Sequence, residues 1–133
     1  MALSGAHEVI LESNHDENML MMGPYPYALK RRILSEEGHL SNGCAAEFLC
    51  ELTGVGARHL LLAHLSAENN TPELAYLTAR TALGRSGLVQ DEDYTLAVAR
   101  RDTPVILCDI LNDEEDRPVL RSGEECGCNE DSV

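Results

Sequence analysis

Residues 58–64, Arg-His-Leu-Leu-Leu-Ala-His, are the stretch that decides the fold. Consecutive apolar residues with polar residues on either side are typical of a strand that is buried on both faces of a sheet. A polar loop then leads to Thr71, Pro72 and Glu73. A threonine at the cap, a proline at the first helical position and an acid in the first turn indicate a helix, which we expect to run to about Leu83.

A second short apolar run, at residues 7–13, predicts another buried strand upstream. Between the two strands, the pattern predicts helices at about 16–22, 27–34 and 43–53. The third helix would begin at Ser41 or Asn42, end at Gly54 and bury one face. The residues expected on that face are Ala45, Phe48, Leu49 and Leu52.

After the helix that begins at Thr71, the sequence pattern predicts two more strands, at 94–99 and 104–111, which could form a hairpin. Strands that alternate with helices indicate an α/β sheet. We expect one domain over residues 1–111. Residues 112–133 are rich in acids, and we expect them to form a disordered tail.

The composition favours a small folded protein: the 133 residues are 44% hydrophobic and carry a formal net charge of −13. Such acidity argues against a stand-alone nucleic-acid binder, which needs a basic surface. No run is long enough to cross a membrane and no signal peptide is recognisable, so we expect a cytoplasmic protein. We expect Cys44, Cys50 and Cys108 to be reduced core residues. The Cys126–Cys128 pair could bind a soft metal or oxidise, but a disordered tail is the simpler interpretation.

Three polar residues stand where parallel α/β sheets bind ligands, beyond the carboxyl ends of their strands. Glu12 and His64 end the two buried strands, and His39 precedes the third helix. We expect these side chains to converge at one rim as a metal or acid–base site. Each also has a simpler interpretation, since Glu12 could be solvated, His64 could be a hydrogen-bonded surface residue and His39 could bond the helix end.

Two other polar segments have ordinary structural interpretations. His15, Asp16 and Glu17 are expected to cap the first helix and to supply its acidic first turn. The basic run Lys30–Arg32 could contact phosphate, but a short basic run is usually a solvated helix face.

Three strings occur in order at residues 11–16 (LESNHD), 33–42 (ILSEEGHLSN) and 62–70 (LAHLSAENN). Together they resemble the C-terminal half of a metallo-β-lactamase-fold metal-dependent hydrolase of the nuclease-like group. More distantly the layout is similar to ribonuclease Z. The resemblance runs from about residue 1 to about residue 110. It implies half of a four-layer αββα sandwich, from an enzyme that cleaves phosphodiesters with two Zn²⁺ or Mn²⁺ ions.

The resemblance also implies residue roles. His64 matches a metal-binding histidine, while Glu12 and His39 match a catalytic pair near the metals that stabilises or protonates the leaving oxygen. Paired metals activate a water and stabilise the attacking and leaving oxygens of an in-line displacement at the phosphodiester. A carboxylate beside an imidazole stabilises its protonated form, which can then act as a general acid.

The sequence departs from the family in one decisive respect: the metal-binding motif His-x-His-x-Asp-His is absent from the 133 residues. One histidine cannot hold two ions. We therefore expect a fragment that is inactive alone and that either pairs with a missing N-terminal half or self-associates. Nucleic acid would be the substrate of the intact enzyme only. The alternative is a non-catalytic interaction module that retains half of the fold.

Overall fold

A computed structural model describes residues 5–105. Its centre is a parallel sheet of three strands, in the order β1-β2-β3. The elements in chain order are β1 (Glu8–Glu12), α1 (Glu17–Met22), α2 (Tyr27–Ile33), α3 (Asn42–Gly54), β2 (His59–Ala63), α4 (Pro72–Arg85) and β3 (Thr95–Val98). The predicted α/β class and the order of these elements are confirmed.

The leucine run forms the central strand and anchors the core. Leu60 pairs in register with Val9 of β1 and Leu96 of β3. Side chains alternate across a strand, so this row and the Leu62 row share a face. Leu49 of α3 and three residues of α4, Ala75, Ala79 and Leu83, belong to the same buried cluster. Both helices therefore cover one face of the sheet.

Helices α1, α3 and α4 begin where the sequence predicts, because the expected side chains cap them, whereas α2 follows Pro26 without a side-chain cap. Asp16 accepts a hydrogen bond from the Met19 N–H at the start of α1. Ser41 and Thr71 do the same for α3 and α4, and Pro72 opens α4. Each cap satisfies a backbone N–H that has no partner inside the helix.

The buried face of α3 differs from the expected one. Phe48 is 46% exposed, and Ala46 is buried in its place beside Ala45. α3 packs against α4, and Ala75 and Ala79 of α4 belong to the same buried cluster as Leu49 and Leu52 of α3. The expectation that Cys44 lies in the core is also wrong, since it is exposed.

Several expectations concern residues beyond those described. The strand expected at 104–111 falls almost wholly outside residues 5–105, as do Cys108, the boundary at 112, the acidic tail and the Cys126–Cys128 pair. Within the described part, β3 pairs with β2 in parallel. None of the described helices is long and apolar enough to span a membrane.

The second face of the sheet is unevenly covered by the described residues. Ile10, Leu61 and Ala97 form one row across the strands. Leu61 is 8% exposed, whereas Ile10 on the edge strand is 66% exposed. An edge isoleucine open to this degree contributes little apolar burial to the stability of this chain.

This difference between the two faces gives a stability test. Leu60→Ala should lower the free energy of unfolding by about 2–5 kcal/mol, because it leaves a cavity in the core. Ile10→Ala should change it by only about 0.5 kcal/mol, as at other surface positions. Urea denaturation followed by circular dichroism measures both. Equal losses would show that the Ile10 face is as well packed as the helix-covered face.

Candidate functional site

The candidate site lies at the carboxyl rim of the parallel sheet. Glu12 is the last residue of β1, and His64 directly follows β2. Because the strands are parallel and in register, both side chains emerge at the same edge. His39 reaches this edge from the loop between α2 and α3. The expected convergence of the three residues is therefore observed, whereas their chemical roles stay predictions.

One carboxylate oxygen holds both imidazoles. The Nδ1 atoms of His39 and His64 lie 2.7 and 2.6 Å from Oε1 of Glu12. The ring centroids are 5.3 Å apart and the rings are tilted by 54°. A carboxylate only accepts, so each Nδ1 carries the proton. The Nε2 atom of each neutral ring then keeps a free lone pair.

The backbone of the His39 loop is fixed on both sides of the histidine. Oε2 of Glu12 accepts a hydrogen bond from the Leu40 N–H at 3.0 Å. The His39 N–H donates to the Ile33 carbonyl at 3.0 Å, and the Asn14 N–H donates to the Leu40 carbonyl at 2.8 Å. The loop is thus bound to both β1 and the end of α2, and this presents the imidazole to Glu12.

His64 adopts a backbone conformation that is unfavourable for most residues. Its φ is +57°, in the left-handed region. The side-chain amide of Asn14 donates to the His64 carbonyl at 2.9 Å, and the Ser66 N–H donates to the Asn14 carbonyl at 2.7 Å. Asn14 therefore connects the two strand ends and holds the turn that directs His64 toward Glu12.

A buried polar network, which sequence reasoning missed, supports this rim from below. Asn42 and Asn70 exchange side-chain amide hydrogen bonds at 2.9 Å in both directions. The Ser13 hydroxyl donates to Asn42 at 2.6 Å, and Asn70 donates to the Ser13 carbonyl at 2.9 Å. The signal in the sequence was an asparagine at the start of each of two helices, but pairing between residues 28 positions apart is a tertiary property.

Hydrogen bonding outweighs burial at Glu12. Burial raises the pKa of this carboxyl, but the Leu40 N–H and the imidazoles of His64 and His39 together lower it below the ordinary value of 4.5. The side chain is 28% exposed, compared with 44% for His39 and 67% for His64. The carboxylate is thus ionised at neutral pH and partly shielded, while both imidazoles are open to a ligand.

His15 does not contribute to the helix cap as expected. Asp16 is the cap, and the Ser41 hydroxyl donates to Glu17 at 2.8 Å. The His15 side chain is 1% exposed, and neither ring nitrogen has a hydrogen-bond partner among the described residues. His15 is therefore a buried polar group that the local fold leaves unsatisfied.

The three donors suit a divalent metal ion. One ligand atom from each of Glu12, His39 and His64 lies within 4.8 Å of the others. Imidazole nitrogens with a carboxylate form the kind of set that binds Zn²⁺ or related ions. If Glu12 keeps its hydrogen bonds to both Nδ1–H groups, the Nε2 atoms are the available ligands, as in other carboxylate–histidine–metal arrangements.

The strained backbone of His64 yields a test that separates its side chain from its conformation. His64→Gly should be more stable than His64→Ala by about 1 kcal/mol, because glycine adopts positive φ without steric cost. Both variants lose the contact with Glu12, so each controls for the other. Thermal melting of the pair measures the difference, and equal stability would mean that the turn relaxes out of the left-handed region.

The burial of His15 predicts a pH dependence of stability. Burial lowers the pKa of His15 below its ordinary value of 6.5, and a protonated His39 adds to the lowering, whereas the carboxylates of Glu17, Glu12 and Asp16 oppose it. Below about pH 6.5 the unfolded chain thus binds more protons at this residue than the folded chain. Stability from this residue is full above that pH and is lost as pH falls toward the folded pKa.

Urea denaturation between about pH 7.5 and about pH 5, a range that spans the ordinary histidine pKa, should show this loss in the wild type. His15→Asn should have a shallower dependence in the same range, since asparagine does not titrate. The other histidines are common to both proteins, so the difference in slope isolates His15. Identical slopes would contradict the lowered pKa.

Comparison with known proteins shows clear relatives over most of the chain. The chain is 40% identical to exodeoxyribonuclease YycJ of Bacillus anthracis over 94 residues. This matched stretch covers 71% of this chain and 36% of that protein. It is 37% identical over 108 residues to exodeoxyribonuclease WalJ of Streptococcus pneumoniae D39, covering 81% of this chain and 40% of that protein. No family model matches the chain, and no solved structure matches it significantly. The chain is thus similar to proteins named exodeoxyribonucleases and spans about two fifths of their length or less.

Proposed function

We propose that this chain is part of a metal-dependent exonuclease of metallo-β-lactamase fold, in which residues 1–111 form the C-terminal half of the domain. The observation that carries the proposal is the convergence of His39 and His64 on one oxygen of Glu12. The mixed α/β fold with a small parallel sheet agrees with such a half-domain. The names of the relatives support DNA as the substrate.

The chain's own residues would contribute a metal ligand and a proton-donating pair. His64 is the more exposed imidazole and offers Nε2 to one ion, while Glu12 fixes its orientation through Nδ1. Glu12 also stabilises a protonated His39, which can donate a proton to the oxygen that leaves the phosphodiester. When bound, two Zn²⁺ or Mn²⁺ ions would supply an activated water and neutralise charge on the phosphate.

The remaining ligands have to come from another polypeptide segment. The 133 residues contain no His-x-His-x-Asp-His motif, so His64 could complete a two-metal site only beside a segment that carries one. We propose an N-terminal half of the fold as that partner, with self-association as the alternative state of the lone chain. The open Ile10 on the second face of the sheet is consistent with either contact.

Reconstitution tests this function directly. The lone chain should show no nuclease activity with Mn²⁺ or Zn²⁺. Mixed or co-expressed with the N-terminal part of a relative that contains the motif, it should degrade DNA from an end. His64→Ala and Glu12→Gln should each lower the rate by about 100-fold or more, through loss of a ligand and of acid catalysis.

The matched control is His7→Ala. His7 is an exposed histidine that directly precedes β1, at the end opposite Glu12. Its removal should therefore leave the rate within about twofold, as for surface changes away from a site. Robust metal-dependent cleavage by the lone chain, abolished by His64→Ala, would show that the chain needs no partner. A reconstituted assembly that binds its partner but cuts no DNA would favour an interaction module instead.

A further inference from the structure

A cavity of about 810 Å³ opens directly beside the candidate site. His39 and His64 form part of its wall, together with Tyr25 and Leu29 from the α2 region. This volume falls within the range of small-molecule binding sites in proteins. The proposed chemistry of the rim does not use the rest of the cavity.

The three basic side chains of α2, Lys30, Arg31 and Arg32, make different contacts. Lys30 donates to the carbonyls of Met21 and Gly23 at 2.6 and 2.7 Å and so caps the end of α1. The guanidinium of Arg31 lies 6.0 Å from the centre of the Tyr27 ring. Arg32 alone of the three borders the cavity. A simple solvated helix face therefore does not describe this segment.

Two buried polar side chains on the cavity wall point to a polar occupant. His15 and Asn69 both line the cavity and are each 1% exposed. Both ring nitrogens of His15 and Oδ1 of Asn69 have no hydrogen-bond partner among residues 5–105. Such groups are uncommon in folded proteins because each costs stability unless something bonds to it.

The chemistry of the wall is mixed rather than purely cationic. Arg32 and Arg101 supply positive charge, and Arg101 uses one N–H group on the Leu65 carbonyl at 3.2 Å. Glu37 and Glu68 supply acceptors on the same wall. A bare phosphate would leave these carboxylates and the apolar side chains unmatched. A ligand with an anionic group, hydrogen-bond donors and a flat aromatic ring with apolar faces matches all of them.

We propose that this cavity binds one nucleoside monophosphate unit, the terminal nucleotide of a DNA strand, with its phosphate on Arg32. This inference rests on the proposed exonuclease function and adds to it a recognition residue outside the metal and proton-transfer machinery. The guanidinium of Arg32 recognises the terminal phosphate, the apolar wall packs against the base, and the next phosphodiester reaches His39 and His64. Arg32 is thus a specificity-determining residue for a phosphorylated strand end.

Calorimetric titration of the chain with deoxyadenosine monophosphate tests the site without metal or catalysis. We expect saturable binding with a Kd of about 1 mM or tighter. Arg32→Ala should weaken it by about tenfold or more, the effect of a lost charge-assisted contact. Arg31→Ala is the matched control, because it removes the neighbouring charge outside the cavity, and it should change the Kd by less than about twofold. Deoxyadenosine, which lacks the phosphate, should bind as weakly as the nucleotide binds Arg32→Ala.

His15→Leu separates a binding role from a structural one. Removing an unpartnered buried imidazole should raise the melting temperature of the free chain, since an apolar side chain of similar size needs no partner. The same change should weaken nucleotide binding. A loss of both stability and binding would mean that His15 stabilises the fold and does not itself bind the nucleotide.

Three results would overturn the proposal: no saturable nucleotide binding, equal binding of inorganic phosphate, or equal losses in Arg31→Ala and Arg32→Ala. The two proposals fail separately. Nucleotide binding through Arg32 in an assembly that cuts no DNA would end the exonuclease function and retain the nucleotide site. DNA cleavage by an assembly whose chain binds no nucleotide would retain the exonuclease function and end the nucleotide site.

Discussion

The reciprocal amide pair between Asn42 and Asn70 is the interaction on which the arrangement of the rim depends. Asn42 begins α3, Asn70 precedes α4, and Ser13 bonds to both from the end of β1. Three segments distant in sequence thus meet in one buried, mutually satisfied network. Loss of one member would leave buried partners without hydrogen bonds, at about 1–3 kcal/mol for each group. Such a network fixes position more strictly than apolar packing does, because its bonds are directional.

Above this network, the rim places a single carboxylate between two imidazoles. Glu12 is held by the Leu40 N–H through one oxygen and accepts from both histidines through the other. The hydrogen bonds set the tautomers and leave each Nε2 open to a ligand. The side chain of Asn14 bonds to the His64 carbonyl and so stabilises the strained turn that directs His64 toward Glu12. Strain of this kind persists only where the surrounding structure holds it, and it is common at functional sites.

The two faces of the sheet differ in a way that agrees with a half-domain. Leu60 and Leu62 are fully buried against α3 and α4, whereas Ile10 on the other face is two-thirds exposed. A sheet with one well-covered face can fold by itself, yet it retains apolar surface that favours association. The coverage of 36% to 40% of the relatives' length fits the same picture.

Much of the local structure followed from the sequence. The leucine run at 60–62 had to be buried, the caps at Asp16, Ser41 and Thr71 had to begin helices, and Glu12 and His64 had to lie at or just beyond the ends of strands. The parallel crossovers then required those two residues to share a rim, so their convergence with His39 was predictable.

The tertiary structure decided the rest. Whether Phe48 or Ala46 is buried depends on which side of α3 packs against α4 and the sheet. Both positions lie three or four residues from other buried positions of α3, so periodicity alone cannot rank them. Whether Arg32 faces solvent or a cavity depends on where the loop after α2 turns. The pairing of Asn42 with Asn70 and the isolation of His15 arise from contacts between distant segments, because hydrogen-bond partners are set by position in space and not by residue type.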